Sequence, residues 1–430
     1  MFPVWFLVLE IWSFKFHLVL PPQSFSHQLS PRCRSPVSTD SLNSELRDEL
    51  RRLSEQGLLR SRREVIPLPG GQCRLNGQTL WNFASNDYLG LADDPRLKQA
   101  AIDAIQVSGI GARASPLVTG RTDWHARLES AISRFKQTES AILFPTGFAA
   151  NLGTIGALAG PDDIVICDRL NHASLIDGIR QTRARLRVIP HGDVTACRQQ
   201  LQQATGTRRR LIVTDSVFSM DGDHAPLREL HDCAEEFDAI LIVDDAHATG
   251  VFGDRGTGLL EVAGISASQR VISIGTLSKA IGLQGGFVAG SSVLINWLWN
   301  SARTQVYSTA LSIPVCAAAV TAFELITAEP ERRHWLRETS SQVIAGLRQS
   351  GWHVPDPARG PILPVLVGDA ALTMQLASAL EERGILVAAI RPPTVPAGTA
   401  RLRVSLCVSH GQEGIAALLD AFQAVRATQQ

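Results

Sequence analysis

No charge of either sign is in excess: 41 Lys and Arg stand against 41 Asp and Glu in 430 residues, a formal net charge of zero. That excludes the basic stripe on which phosphate backbones are bound, so nucleic acid is not an expected partner. The seven cysteines (Cys33, Cys73, Cys167, Cys197, Cys233, Cys316, Cys407) include no C-x-x-C pair and no ligand spacing. Neither a disulfide framework nor a zinc site follows, and reduced, mostly buried thiols are expected. There is no Walker lysine motif and no H-E-x-x-H, which removes support for phosphoryl transfer and zinc hydrolysis, and no internal repeat. Long uninterrupted apolar runs are missing too. The opening MFPVWFLVLEIWSFKFHLVL is apolar and aromatic, but Glu10 and Lys15 interrupt it, so a membrane span is not expected. No basic region precedes it and no A-x-A site follows, so it does not read as a secretory signal. Residues 1–40 are expected to lie outside the fold, the product of a start assigned too far upstream.

What is present is a chain long enough for a large domain and a smaller one, at about 100 to 200 residues per domain. Leucines 42, 46, 50 and 53 recur at helical spacing in an amphipathic stretch expected to lie on something else. A hairpin over GGQCRLNGQTLWNF ends at Phe83, so 41–85 reads as an N-terminal helix and hairpin. Helical period returns over Pro95–Val107 and Trp124–Lys136. From Ser140 onward, Val- and Ile-rich runs without polar alternation (VICD, LIVTD, LIVDD, VISIG) alternate with helical stretches. Strands covered on both faces have this composition, which predicts an α/β fold with a mostly parallel sheet over 86–314. Residues 315–430 alternate helix and strand and read as a smaller α+β C-terminal domain.

Ligands of an open parallel sheet collect at the carboxyl ends of its strands, so the residues just after each apolar run are read first. These are Asp244 and His247 after AILIV, Ser219 after RLIVTD, Thr276 and Lys279 after VISIG, and Gly147 and Phe148 after AILF. Taken singly, Lys279 reads as a solvated lysine, Asp244 as a cap and His247 as a structural histidine. At consecutive strand ends they form the set that pyridoxal phosphate (PLP) requires. The pyridine nitrogen needs a carboxylate, supplied by Asp244, and the aldehyde needs a buried lysine, Lys279. The phosphate needs N–H groups at a helix start and a hydroxyl, available at Gly147, Phe148 and Thr276. His247 is placed to meet the ring hydroxyl. The run Gly109-Ile110-Gly111-Ala112-Arg113-Ala114 fits a dinucleotide pattern, but what precedes it reads as helix, so it is taken as a loop over the active site.

The stretches SNDYLGL (85–91), LFPTGFAAN, DRLNHASLIDG, TDSVFSMDGDHAPL, LIVDDAHATGVFG, GTLSKAIGLQGG, YSTALSIP and IRPPTVPAGTARLRVSL together resemble the α-oxoamine synthases over residues 45–425. These are PLP-dependent transferases of fold type I that condense an amino acid with an acyl thioester and lose carbon dioxide. RPPTVPAGTARLR (391–403) resembles the branch that makes 8-amino-7-oxononanoate for biotin synthesis from L-alanine and a pimeloyl thioester, carried on coenzyme A or an acyl carrier protein. The resemblance implies Lys279 as the Schiff-base lysine, Asp244 as the pyridinium partner, and His247 and Ser219 at the ring hydroxyl. His172 would stack on the ring and serve as an acid. Asn86 and Arg403 would hold the amino-acid carboxylate, with Arg60, Arg391 and Thr394 near the acyl chain. A cytoplasmic homodimer is implied, with Ser308 and Thr309 reaching the partner's phosphate. Ala248 stands where the family commonly has glycine, and LSKAIGLQGG departs from its usual K-G-F-G. Three alternatives stay open: a sibling synthase using glycine and acetyl thioester, a PLP aminotransferase or lyase that shares the lysine and aspartate, and an inactive partner subunit of the same fold.

Overall fold

The computed structural model describes residues 39–356 and 359–428, so the apolar opening segment up to residue 38, with Cys33, lies outside the described residues. The described residues fall into two units that divide between Leu59 and Arg60. In the first, the expected amphipathic helix runs Thr39–Glu55. None of its residues is buried, and Leu46 and Leu50 are about half exposed.

Among the described residues of the second unit, fourteen strands arrange as three sheets. The small strands β1 (Val65–Leu68), β2 (Gln72–Leu75) and β3 (Gln78–Asn82) make the expected hairpin with one more strand at its edge. The central sheet is built from β4 (Ser140–Phe144), β5 (Ile164–Asp168), β6 (Arg185–Ile189), β7 (Arg210–Asp215), β8 (Ala239–Asp244), β9 (Val271–Thr276) and β10 (Gly286–Gly290). Near the C-terminus follow β11 (Ile362–Gly368), β12 (Ile385–Leu386), β13 (Ala388–Ile390) and β14 (Ala400–Ser405). Strand β12 joins β3 in parallel, while β11, β14 and β13 form an antiparallel sheet of their own.

The central sheet has the order β4-β10-β9-β8-β7-β5-β6. Its strands are apolar throughout because both faces are covered, and successive side chains serve opposite sides. Ile166, Leu241 and Val243 enter one core cluster, whereas Val165, Cys167 and Ile242 enter the other. Each such buried aliphatic contributes about 1.5–3 kcal/mol. The sheet is parallel except for β10, which runs antiparallel to both β9 and β4. The connection over residues 277–285 is too short for a parallel crossover, which takes about a dozen residues or more, so the chain must turn back. Leu277 N–H donates to Gly285 O (3.0 Å) and Leu283 N–H to Leu277 O (2.7 Å), closing the turn that contains Lys279.

One consequence positions the site. Asp168, Asp215, Asp244 and Thr276 are the last residues of β5, β7, β8 and β9, which are adjacent in the sheet. By register the side chains of Asp215, Asp244 and Thr276 share one face at its carboxyl edge, while that of Asp168 turns to the other face. The six described cysteines are all free and buried. Among the described residues no single helix is long and apolar enough to cross a membrane.

Candidate active site

Lys279 and His247 come from neighbouring strand ends, and Lys279 Nζ lies 3.3 Å from His247 Nε2. The other ring nitrogen, Nδ1, is 2.6 Å from the hydroxyl of Tyr88, a fully buried side chain. Burial, with the positive charges of Lys279 and Arg403 beside it, holds the His247 imidazole well below its usual pKa, so the ring is neutral. Burial likewise lowers Lys279 from 10.5 to about 8, helped by Arg403 and opposed by Asp244 and Asp215. Burial also pushes the Tyr88 phenol up to about 12. The arrangement therefore favours an amine that gives up its proton near neutral pH, as imine formation requires.

Asp244 faces the same space from the end of β8. One carboxylate oxygen accepts from the Ala246 N–H (3.0 Å) and the other from Asn151 Nδ2 (2.6 Å). Asn151 also donates to Ser174 Oγ (2.8 Å), which lies 2.7 Å from His172 Nδ1. A single chain of polar contacts thus runs from Asp244 to His172. The backbone N–H of His172 donates to Asp215 Oδ2 (2.7 Å). Burial and the neighbouring Asp244 raise the Asp215 carboxyl well above the usual range, against the pull of that N–H.

On the opposite side, Arg403 from β14 reaches over. Its Nε donates to Ser219 O (2.6 Å), and its Nη2 donates to Asn86 Oδ1 (3.1 Å) and the Tyr88 hydroxyl (3.4 Å). Gly147 begins the helix Gly147–Leu158, whose cap is Thr146 accepting from the Ala149 N–H at 3.0 Å. A Cβ added at Gly147 would sit 3.2 Å from Thr276 Cβ, so that backbone passes close to the end of β9. The first N–H groups of this helix, with Phe148 following, make an anion-binding terminus next to a threonine hydroxyl. Thr276 Oγ1 itself donates to Gly285 O (2.9 Å).

The structure thus brings together Lys279, His247, Asp244, His172, Ser219, Asn86 and Arg403, and sets Gly147 beside Thr276. The remaining candidates form contacts of their own. Arg60 Nη2 donates to Thr394 Oγ1 (3.3 Å), and Arg391 Nη1 to Met374 Sδ (2.8 Å). Reading the sequence did not single out Tyr88, Asn151, Ser174 or Asp215. Tyr88 had a signal, being one of two tyrosines in the chain and lying inside SNDYLGL. The other three are ordinary in sequence and acquire meaning only through what they touch.

These residues fit PLP on their own chemistry: a buried carboxylate, a lysine shifted toward its neutral form, and a helix start beside a hydroxyl, all converging on one sheet edge. Residues 78–422 match the family model for aminotransferase class I and II. The chain is 46% identical over 88% of its length to 8-amino-7-oxononanoate synthase of Anaeromyxobacter dehalogenans, covering 94% of that protein. It is 42% identical over 89% to 8-amino-7-oxononanoate synthase 2 of Bacillus subtilis, covering 98% of it. Among solved structures, the serine palmitoyltransferase of S. paucimobilis bound to PLP and myriocin superposes with a TM-score of 0.85 at 29% identity, over 92% of this chain and 99% of that one. The chain therefore belongs to the aminotransferase class I and II family and, within it, to the 8-amino-7-oxononanoate synthases, PLP-dependent acyltransferases of fold type I.

Proposed function

We propose that this chain condenses L-alanine with a pimeloyl thioester, on coenzyme A or an acyl carrier protein, to give 8-amino-7-oxononanoate, carbon dioxide and the free carrier. The observation that carries the reading is the pairing of Lys279 Nζ with the neutral His247, one strand away from Asp244, in a chain 46% identical to a named synthase. PLP, when bound, supplies an electron sink for the α-carbon of the amino acid. Lys279 would anchor it, and its amine, which burial keeps partly neutral, would take and return the α-proton of alanine. Asp244, fixed by Asn151, holds the proton on the ring nitrogen. His247 and Ser219 face the ring hydroxyl, while Gly147, Phe148 and Thr276 hold the phosphate. His172 would cover the ring and serve as an acid, and Asn86 with Arg403 would hold the alanine carboxylate. Arg60, Arg391 and Thr394 line the path of the acyl chain.

The working form is a cytoplasmic homodimer in which Ser308 and Thr309 of one subunit face the other's phosphate site. A large PLP-binding domain spans 86–314 and a smaller one 315–430. The experiment is an assay of the purified protein with alanine or glycine against acyl thioesters of graded length, read by product mass and carbon dioxide release. Product with alanine and the pimeloyl thioester is expected. Turnover only with glycine and an acetyl thioester would transfer the chain to a sibling activity, and PLP binding without any condensation would make it an inactive partner subunit.

A further inference from the structure

A histidine outside the set above binds two of its parts together. We propose that His191 is a positioning residue for the cofactor pocket, tying the turn that carries His172 to the loop that carries Ser219 by donating from both ring nitrogens, one to Asp168 and one to Asp223.

The geometry is that of a bridge between two carboxylates. His191 Nδ1 lies 3.0 Å from Asp168 Oδ2, and Nε2 lies 2.6 Å from Asp223 Oδ2. Phe218 meets the imidazole edge to face, with centroids 4.4 Å apart at 90°. Asp168, nearly buried at the end of β5, also accepts from the N–H groups of Leu170 (2.8 Å) and Gly192 (2.7 Å), so its carboxylate organises the turn leading into His172. Asp223 belongs to a closed loop in which Phe218 N–H donates to Asp223 O (3.0 Å) and Gly222 N–H to Phe218 O (2.8 Å). Within that loop Ser219 O accepts from Arg403, and Asp221 pairs with Arg401. A shift of Asp223 would therefore carry Ser219 and the Arg403 anchor with it. The two carboxylates raise the imidazole to about 10, through their hydrogen bonds and against burial, so both nitrogens hold protons at neutral pH. Charge-assisted bonds of this kind are roughly twice as strong as neutral ones. An isolated surface ion pair would do none of this, but here one acceptor is almost fully buried and each end is bonded into a different loop that carries a site residue.

The inference rests on the site assignment made above, and its test separates the two. Apo-protein of wild type, His191→Phe, Asp223→Ala and the double variant would be titrated with PLP by absorbance, with the visible circular dichroism of the bound cofactor and the melting midpoint of the apo-form measured alongside. Each single variant is expected to weaken PLP binding about tenfold, the equivalent of one charge-assisted hydrogen bond, and to alter the visible dichroism. The double variant is expected to lose little more than either single, because both remove the same bridge. His191→Gln, which keeps one donor, should fall between. Apo-form melting within a few degrees of wild type would separate positioning from general destabilisation. Unchanged PLP affinity and dichroism in folded variants would overturn the proposal, as would multiplying effects in the double variant. Should His191→Phe fail to fold, Asp223→Ala, altered at the more exposed end, decides alone. A wild type that took up no PLP would instead remove the site assignment.

Discussion

The behaviour of Lys279 is set by its surroundings rather than by its type. A lysine held near pKa 8 in the folded apo-protein and near 10.5 when unfolded releases its proton earlier in the native state. The unfolded chain then binds more protons between those values, so this residue's contribution to stability grows as pH rises from about 8 toward 10.5. The penalty for burying its charge is fully present below 8. The same shift governs capture of the cofactor, since only the free amine attacks the aldehyde. The rate of PLP uptake by apo-protein is expected to climb about tenfold per pH unit below 8 and to level off above it, followed by stopped-flow absorbance. Lys279→Ala should abolish the visible band of the lysine-linked cofactor together with all turnover; a persistent band would place the anchor elsewhere. Reading the sequence reached Lys279, Asp244 and His247 because each follows an apolar strand run. It did not reach Asn151 or Tyr88, which matter through contacts spanning 93 and 159 residues.

At the scale of elements, the turn after β8 is held from beneath by a buried ion pair. Lys136 Nζ donates to Asp245 Oδ2 (2.8 Å), Thr249 Oγ1 (2.7 Å) and Thr257 O (2.6 Å), and both charged side chains are almost fully buried. Asp245 lies between Asp244 and His247, so the pair fixes the turn from which both project. Removing one partner leaves a buried, uncompensated charge, and Lys136→Met is expected to cost about 3–5 kcal/mol, read as a lower denaturant midpoint. A change within experimental error would mean that water reaches Asp245. The alternation of strand and helix was legible because composition and period are local properties. The reversed direction of β10 was not, although the shortness of residues 277–285 contained the reason. Nor was the tie between Arg401 of β14 and Asp221, which joins residues 180 positions apart.

For the whole molecule, large apolar side chains left open on the described chain point to association. Val107, Ile110, Val118 and Tyr307 are 70–83% exposed. The loop after residue 109 is tied to the segment after Tyr307 by the Ala310 N–H donating to Ala114 O at 3.1 Å. Exposed apolar surface of this kind marks interaction sites. If these side chains line the interface of the proposed homodimer, a wild type that sediments as a dimer is expected to shift toward monomer in Val118→Asp. A variant still fully dimeric at micromolar concentration would move the interface elsewhere.

By itself the sequence determined the succession of strands and helices, the layering of an α/β sheet and the residues that follow each strand, since these depend on short-range pattern and on which side chains tolerate burial. Tertiary structure alone decided which of those ends became neighbours, how far Lys279 is desolvated, and which partner each carboxylate receives. Those are properties of distance and dielectric, and no residue carries them until the chain has closed around it.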